Sequence, residues 1–401
     1  MLAILANRTY RHLFMAQVIA LIGTGLATVA LGLLAYDMAG DRAGAVLGTA
    51  LAIKMSAYIL VAPFATALAE RFPRRSMLVA LDLVRALAAL ALPFVSQVWE
   101  IYLLIFVLQS ASAAFTPTFQ ATIPDILPQE RDYTRALSLS RLAYDLESVI
   151  SPVLAAALLT MMSFHNLFAG TALGFMASAA LVVSSSLPKA RSAVAPRSFY
   201  DKATSGIRIF LATPRLKGLL ALNMAVAAAS SMVIVNTVVL VQAGFGLPQS
   251  STAAALALFG LGSMLAALLL PRLLDSISDR LPMLAGTLLL VVGLGAGIFI
   301  HNYRMLLALW LLLGVGYSLA QTPVGRLLKR SSSAEDRPAL FAAQFALSHS
   351  CWLLTYPLVG WVGAAFSVKA AFALMAMIAA VSLAAAIAIW PQEHKTQEAN
   401  Q

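Results

Sequence analysis

Divided into apolar and polar positions, the chain is a succession of apolar runs of roughly 18 to 25 residues separated by short polar turns, each run long enough to cross a hydrocarbon core of about 30 Å as a helix. Twelve runs stand out, at roughly 13 to 36, 44 to 69, 76 to 95, 101 to 123, 137 to 162, 166 to 186, 218 to 242, 251 to 271, 283 to 300, 305 to 327, 339 to 363 and 370 to 390. The pattern predicts an all-α membrane protein of twelve transmembrane helices. The one long polar interruption, 187 to 217, carries seven basic residues and has six runs on either side. The expected organisation is an N-terminal six-helix bundle over 1–186, a cytoplasmic linker over 187–217, a C-terminal six-helix bundle over 218–390 and a cytoplasmic tail over 391–401. Within the linker, FYDKATSGIRIFLA fits either a helix lying on the membrane surface or a solvated connector.

The two halves repeat one another. ERFP after the second run returns as DRLP after the eighth, Glu70 to Asp279, at an offset of 209. Thr116-Pro117 returns as Thr322-Pro323 at an offset of 206, and Pro152 as Pro357 at 205, each of these last prolines followed three residues later by a small residue, Ala155 or Gly360. Three unrelated marks at nearly one spacing point to a duplicated six-helix unit, and weak internal symmetry of this kind is a signature of secondary transporters.

Composition sharpens the class. The chain is 61% hydrophobic and only 11% charged, with a mean hydropathy of +0.86, whereas soluble domains are about 25% charged. A net charge of +10 would in a soluble protein point towards nucleic acid, so the position of the charges decides. With the N-terminus placed inside and the runs alternating, 22 of the 27 Lys and Arg residues fall in inside segments and only Arg42, Arg304 and Lys369 outside. That asymmetry is the positive-inside pattern of an even number of helices with both ends in the cytoplasm. The basic balance therefore reports topology and contact with anionic lipid headgroups, and no nucleic-acid partner is expected. The apolar run at the start is too long for a signal peptide and lacks a small-residue cleavage site. One cysteine, Cys351, excludes a disulfide framework, and the five scattered histidines lack structural-metal spacing, so no metal site is expected.

On these features the chain resembles the major facilitator superfamily. Its members carry between spans two and three a loop of the form Gly-x-x-x-Asp-Arg-x-Gly-Arg-Arg, which maps onto Thr66, Glu70, Arg71, Pro73, Arg74 and Arg75; the acid-arginine core is kept, while threonine and proline replace the glycines. Exporters of the superfamily carry Gly-Pro-x-x-Gly-Gly in span five, and Ser151-Pro152-x-x-Ala155-Ala156 keeps the proline and the small residues. The arginine that many drug exporters place in span four has no counterpart, and Gln109 lies nearby instead. LDLVRA, AFTPTFQATIPDILP and the span-five stretch are similar to the branch holding siderophore (enterobactin-type) exporters, macrolide efflux proteins and nickel-resistance transporters. The resemblance implies the major facilitator fold in a bacterial inner membrane and a monomer. It also implies an inner-loop latch from Glu70, Arg71, Pro73, Arg74 and Arg75, with Asp279 and Arg280 as the second copy. By this reading the Glu70 carboxylate meets the start of span eleven at Pro338; the alternative is a turn that only fixes topology.

Ionisable groups inside spans cost about 2.5 to 3.5 kcal/mol each on insertion scales and so face protein or a water-filled cavity. Lys54, Asp82, Arg85, Asp145 and Glu147 are the embedded charges. Asp82 and Arg85, three apart, are placed to pair within their own helix. Lys54 has no local partner and is expected to meet an acid of span five or an anionic substrate. Asp145 and Glu147 point to different faces, so one is expected to reach a cavity and carry protons. Asp145 is preferred because Arg141, four residues earlier, shares its face; a helix-start salt bridge to the arginines of 131 to 141 is the competing role. In span eleven Phe345, His349, Trp352 and Tyr356 form one stripe, a packing pattern in which His349 is the member able to change charge near neutral pH. Gln17, Gln109, Asn223, Asn236 and Gln321 add neutral polar groups on the spans that line the cavity in relatives, with helix-helix hydrogen bonding as the other reading.

The expected function is secondary active transport by alternating access: proton-coupled efflux of a drug-like or siderophore-like compound, with no cofactor and the proton gradient as energy source. No phosphate-cradling Gly-x-x-x-x-Gly-Lys-Ser/Thr is present, so the chain is not expected to hydrolyse nucleotide. A nickel or divalent-metal exporter is the alternative, although the stretch PQEHKTQEANQ has one histidine. An enzyme acting on a lipid-linked substrate would need an acidic or His/Asp cluster at a membrane face, and none is evident.

Overall fold

A computed structural model describes residues 2–69, 73–185, 187, 199–274, 277–332 and 337–390. Among the described residues there are fourteen α-helices. In the first half they are α1 (Arg8–Ala39), α2 (Ala43–Ala69), α3 (Arg74–Ala91), α4 (Val98–Ile126), α5 (Glu130–Leu158) and α6 (His165–Val183). After α7 (Phe199–Ala212) come α8 (Pro214–Val238), α9 (Gln249–Leu274), α10 (Arg280–Gly297), α11 (Tyr303–Gln321), α12 (Val324–Arg330), α13 (Arg337–Ala365) and α14 (Val368–Ile389). Setting aside α7, of 14 residues, and α12, of 7, twelve long helices match the twelve apolar runs in order.

The starts of these helices carry the duplication directly. α8, α9 and α10 begin at 214, 249 and 280 against 8, 43 and 74 for α1, α2 and α3, a displacement of 206 each time. This displaces the equivalence of ERFP and DRLP by about one turn. Pro73 is the N-cap of α3, whereas Pro282 lies inside the first turn of α10. The two Thr-Pro pairs also behave differently: α4 runs unbroken through Thr116-Pro117, whereas the second half ends α11 at Gln321 and restarts as α12 after Pro323, which has no N–H to continue the ladder.

Ten of the twelve long helices lie in stretches long and apolar enough to cross a membrane, one stretch, Arg8–Val61, holding most of both α1 and α2. Among the described residues α13, with Gln344, Ser348 and His349, falls short of that apolarity, while many side chains of α5, whose first turns carry Arg131, Asp132 and Arg135, lie outside them. Both sit at the seam between the halves, α5 against α9 and α13 against α2, where their neighbours are protein. A helix shielded from lipid can carry more polar side chains.

The start of α3 meets the ends of α4 and α6, and the start of α10 meets the end of α12, on what is called here the basic face. At the opposite face the halves touch backbone to backbone. A Cβ on Gly48 of α2 would overlap the carbonyl of Tyr356 in α13, and one on Gly360 would overlap the carbonyl of Gly44. Glycine is what lets these helices approach so closely. The Trp361 indole N–H donates to Thr49 Oγ1 (3.0 Å) across the same seam.

α7 is helical and docked. A Cβ on Gly206 would overlap the Ala339 backbone of α13, and Phe210 is fully buried with Leu216, Leu340 and Trp390. α8 begins at Pro214, so the last residues of the polar stretch 187–217 belong to a membrane helix.

Candidate functional site

The embedded charges fall into two groups, and depth along the helices explains which residues meet. Lys54 lies 11 residues after the start of α2 at Ala43, and Glu147 lies 11 before the end of α5 at Leu158, so at 1.5 Å per residue both sit about 17 Å from the face opposite the basic one. At that common depth each is the other's charged partner, although no hydrogen bond joins them. The Glu147 carboxylate rests against α1, where Oε1 is 2.6 Å from the place a Cβ on Gly25 would occupy. Both side chains are partly exposed although each lies near the middle of its helix.

His349 closes the site from the second half. It lies within the electrostatic reach of Lys54, and its Nδ1 is 2.7 Å from the Phe345 carbonyl one turn earlier. Tyr58, one turn beyond Lys54 on α2, brings its ring to 5.8 Å from His349 and 6.1 Å from Phe345. The Trp352 ring is 6.1 Å from His349 and its indole N–H donates to Ser230 Oγ of α8 (2.8 Å). The predicted stripe therefore forms an aromatic wall facing the charged pair, with Tyr356 buried at its end. The backbone of Asp145 is helical, and its side chain lies outside the described residues, as do Glu70 and Arg71. Of the two span-five acids, Glu147 is the one whose placement at Lys54 is described.

The second group is Asp82 and Arg85, paired within α3 as their spacing predicts and both buried. Ser178 Oγ donates to Asp82 (2.8 Å), and the Arg85 guanidinium is sandwiched between Phe115 and Phe175, 4.1 and 4.5 Å from the ring centroids. This pair faces the interior of the first bundle, where Arg85 exerts its charge on Tyr58 and Tyr144. Removing one partner of such a pair leaves a buried charge uncompensated, at a cost of about 3–5 kcal/mol. Arg85→Met is expected to lower the thermal unfolding midpoint in detergent and the amount in the membrane. Adding Asp82→Asn should recover much of the loss, and equal losses in single and double variants would show the pair to be unimportant.

The neutral polar residues divide likewise. Gln17 accepts from Ser140 Oγ (2.9 Å) and meets the Tyr144 hydroxyl, which also meets Thr116, tying α1, α4 and α5 together beside Glu147. Gln321 Nε2 donates to Asn223 Oδ1 (3.0 Å) between α11 and α8, and Asn223 Nδ2 is buried without a partner. Gln109 has a buried, unpartnered Oε1. Asn236 donates to the Val359 carbonyl (3.5 Å) and lies beside Gly44 and Gly363, placing it in the seam between the halves. In α5, Ser151 packs against Gly25 of α1, Ala155 is fully buried, Ala156 is half-buried, and Pro152 sits inside the helix as Pro357 does in α13.

The described part of the basic rim holds each half to itself. Arg74, next to the N-cap Pro73, pairs with Asp125 at the end of α4, and Arg75 donates to the Val183 carbonyl. In the second half Asp279 pairs with Arg326 (3.0 Å) and Arg330 (2.9 Å), while the buried Arg280 Nε has no hydrogen-bond partner. Arg74–Asp125 and Asp279–Arg330 each span 51 residues, and each ties the start of one helix to the end of another within its own half.

Sequence reasoning missed Tyr58, Tyr144 and Gly25. Tyr58 was discoverable as the residue one turn from Lys54; Gly25 and Tyr144 depend on how α1 and α5 cross, which no spacing within one helix encodes. Among the described residues no group of three or more His, Cys, Asp or Glu is placed to hold a metal ion.

Comparison with known proteins agrees with this architecture. The profile of the Major Facilitator Superfamily matches residues 13–235 and again 219–401, the whole helical chain in two pieces. YfiS of Bacillus subtilis (strain 168), described as an MFS-type transporter, is 23% identical over 294 residues, 71% of this chain and 70% of that protein. Macrolide efflux protein A of Enterococcus faecalis is 25% identical over 153 residues, 36% of this chain and 47% of its own length, so less than half of that relative is spanned. Among solved structures, a bacterial homologue of the human lysosomal transporter Spinster, inward-facing and unoccupied, superposes with a TM-score of 0.76 at 12% identity over 95% of this chain and 96% of that one. The nucleoside transporter NupG gives 0.70 at 12% over 96% and 100%. Twelve long helices in two displaced copies, together with a family profile spanning both, make this chain a transporter of the Major Facilitator Superfamily rather than an enzyme.

Proposed function

We propose that the protein is a proton-coupled exporter of an amphipathic small molecule, working by alternating access in a bacterial inner membrane with both termini in the cytoplasm. The observation that carries this reading is the meeting of Lys54 and Glu147 from one half with His349 from the other, half-buried at the middle of the bundle. Groups so placed are presented first to one side and then to the other when two halves rock about a central site. Support for export comes from the span-five stretch Ser151-Pro152-x-x-Ala155-Ala156 and from the likeness to macrolide efflux proteins. The aromatic wall of Tyr58, Phe345 and Trp352 suits the apolar body of such a compound. The excess of Lys and Arg on the basic face supports its assignment to the cytoplasm. The metal-export alternative has no comparable support among the described side chains.

Everted membrane vesicles test the proposal. With the lumen acidified by respiration, adding a macrolide is expected to alkalinise it while the compound accumulates inside, and a protonophore should stop both. Accumulation that ignores the protonophore would sink the coupling; accumulation of nickel alone would favour the metal exporter.

A further inference from the structure

The proposed exchange leaves open what the compound's charge is and which group holds the proton, and the distribution of ionisable residues answers both. Among the described side chains Lys54 has one acidic neighbour, Glu147. Among the same described side chains, the groups facing it are Glu147 on α5, His349 on α13 and its own helix neighbour Tyr58. Of the other helices packed on α2, α1 carries Arg8, Arg11, His12 and Asp37 only in its end turns, α4 carries Glu100 and Asp125 near its ends, and α8 carries Arg215 and Lys217 at its start. Arg85 is already paired with Asp82. Among the described side chains the site thus holds one ammonium and one carboxylate, neither hydrogen-bonded to the other, with aromatic rings beside them.

A charged ligand can open such a pair in two ways. An organic anion taken by Lys54 would strand the Glu147 carboxylate, which recovers neutrality by gaining a proton, so ligand and proton would then travel together. An organic cation taken by Glu147 would strand the ammonium, which recovers neutrality by releasing a proton, so the two travel in opposite directions. Low-dielectric surroundings disfavour an unpaired charge in either case. Only the second way gives exchange, and the faces of Tyr58, Phe345 and Trp352 attract a cation as well.

We infer that Lys54 is the proton carrier of this transporter and that its substrate is a hydrophobic cation which replaces the Lys54 ammonium at Glu147. This rests on the export reading above. In the forward step the substrate cation enters against the Glu147 carboxylate, and the Lys54 ammonium gives its proton to cavity water, leaving a neutral amine with its lone pair. In the return step a proton from the opposite side binds that lone pair, the ammonium reclaims Glu147, and the cation leaves. One positive charge enters the site as another departs, so its net charge never changes.

The test uses purified full-length protein in detergent and the probe tetraphenylphosphonium, with a pH-indicating dye in weak buffer. Binding to the unsubstituted protein is expected to release about one proton per probe, since ligand and proton compete for one counter-ion. Lys54→Met should bind the probe at least as well, release no proton and lose the pH dependence of binding. Lys54→Arg, which keeps the charge and does not titrate near neutral pH, should bind several-fold more weakly and also release none; it guards against a neutral variant that fails to fold. Full proton release from a folded Lys54→Met protein would overturn the assignment of the carrier. So would probe binding to the unsubstituted protein without release. Proton uptake on binding tetraphenylborate, in place of release on binding tetraphenylphosphonium, would overturn the cation assignment and make the site one for co-transport. These readings need no gradient, so they fail or succeed separately from the vesicle flux that tests export itself.

Discussion

Glu147→Gln, at unchanged abundance in the membrane, is expected to abolish gradient-driven efflux. Glutamine keeps the shape and can still donate and accept hydrogen bonds beside Gly25, so the packing of α1 against α5 should survive. What is lost is the only acidic partner described for Lys54. An ammonium left alone in the middle of the bundle costs about 3–5 kcal/mol, which at about 1.4 kcal/mol per tenfold is roughly two to three and a half orders of magnitude in the occupancy of the charged state. The protein escapes that cost by leaving Lys54 neutral, and a lysine that stays neutral on both sides of the membrane transfers no proton. Efflux measured as resistance in a deletion strain, and as lumen alkalinisation in everted vesicles, should fall to the level of empty membranes. Glu147→Asp, one methylene shorter, should retain part of the activity. A Glu147→Gln protein that pumps at the original rate would remove this carboxylate from the mechanism and leave Asp145 to be examined.

The second large effect is expected at the face opposite the basic one. Gly48→Val and Gly360→Val each place side-chain atoms where α2 and α13 touch backbone to backbone, and carbonyl oxygens cannot step aside as a flexible side chain can. Overpacking of this kind costs about 1–3 kcal/mol, enough to shift a two-state equilibrium about 5–150-fold. The strain exists only while the seam is closed, so each substitution should hold the protein open on that side and slow transport without unfolding it. A cysteine at Thr49, which accepts from Trp361 across the seam, reports the opening once the buried Cys351 is replaced. Labelling by a membrane-impermeant maleimide should rise strongly in either valine variant. Unchanged labelling together with full transport would mean that the two helices do not part at these glycines.

Most of the architecture was legible because lipid imposes a length on every crossing, and the twelve apolar runs had to be helices to satisfy their backbone groups. The displacement between halves was legible for the same reason, since prolines and turn residues mark helix ends. It failed by a turn at ERFP and DRLP because four residues read alike while one proline caps a helix and the other lies within it. The pairing of Asp82 with Arg85 followed from spacing along one helix. The meeting of Lys54 with Glu147 could be anticipated only as some acid on span five, since which carboxylate turns inward depends on how α5 rotates against α1. Asn236 illustrates the limit in the other direction. A lone amide in an apolar helix reads equally as cavity lining or as a joint between helices, and only the approach of Gly44 and Gly363 places it in the seam.

The ion pairs at the basic rim bear on what a swing of one half against the other has to break. Arg74–Asp125 lies wholly within the first half and Asp279–Arg330 wholly within the second. Such a swing leaves both intact, so the resistance to it comes from contacts between the halves alone.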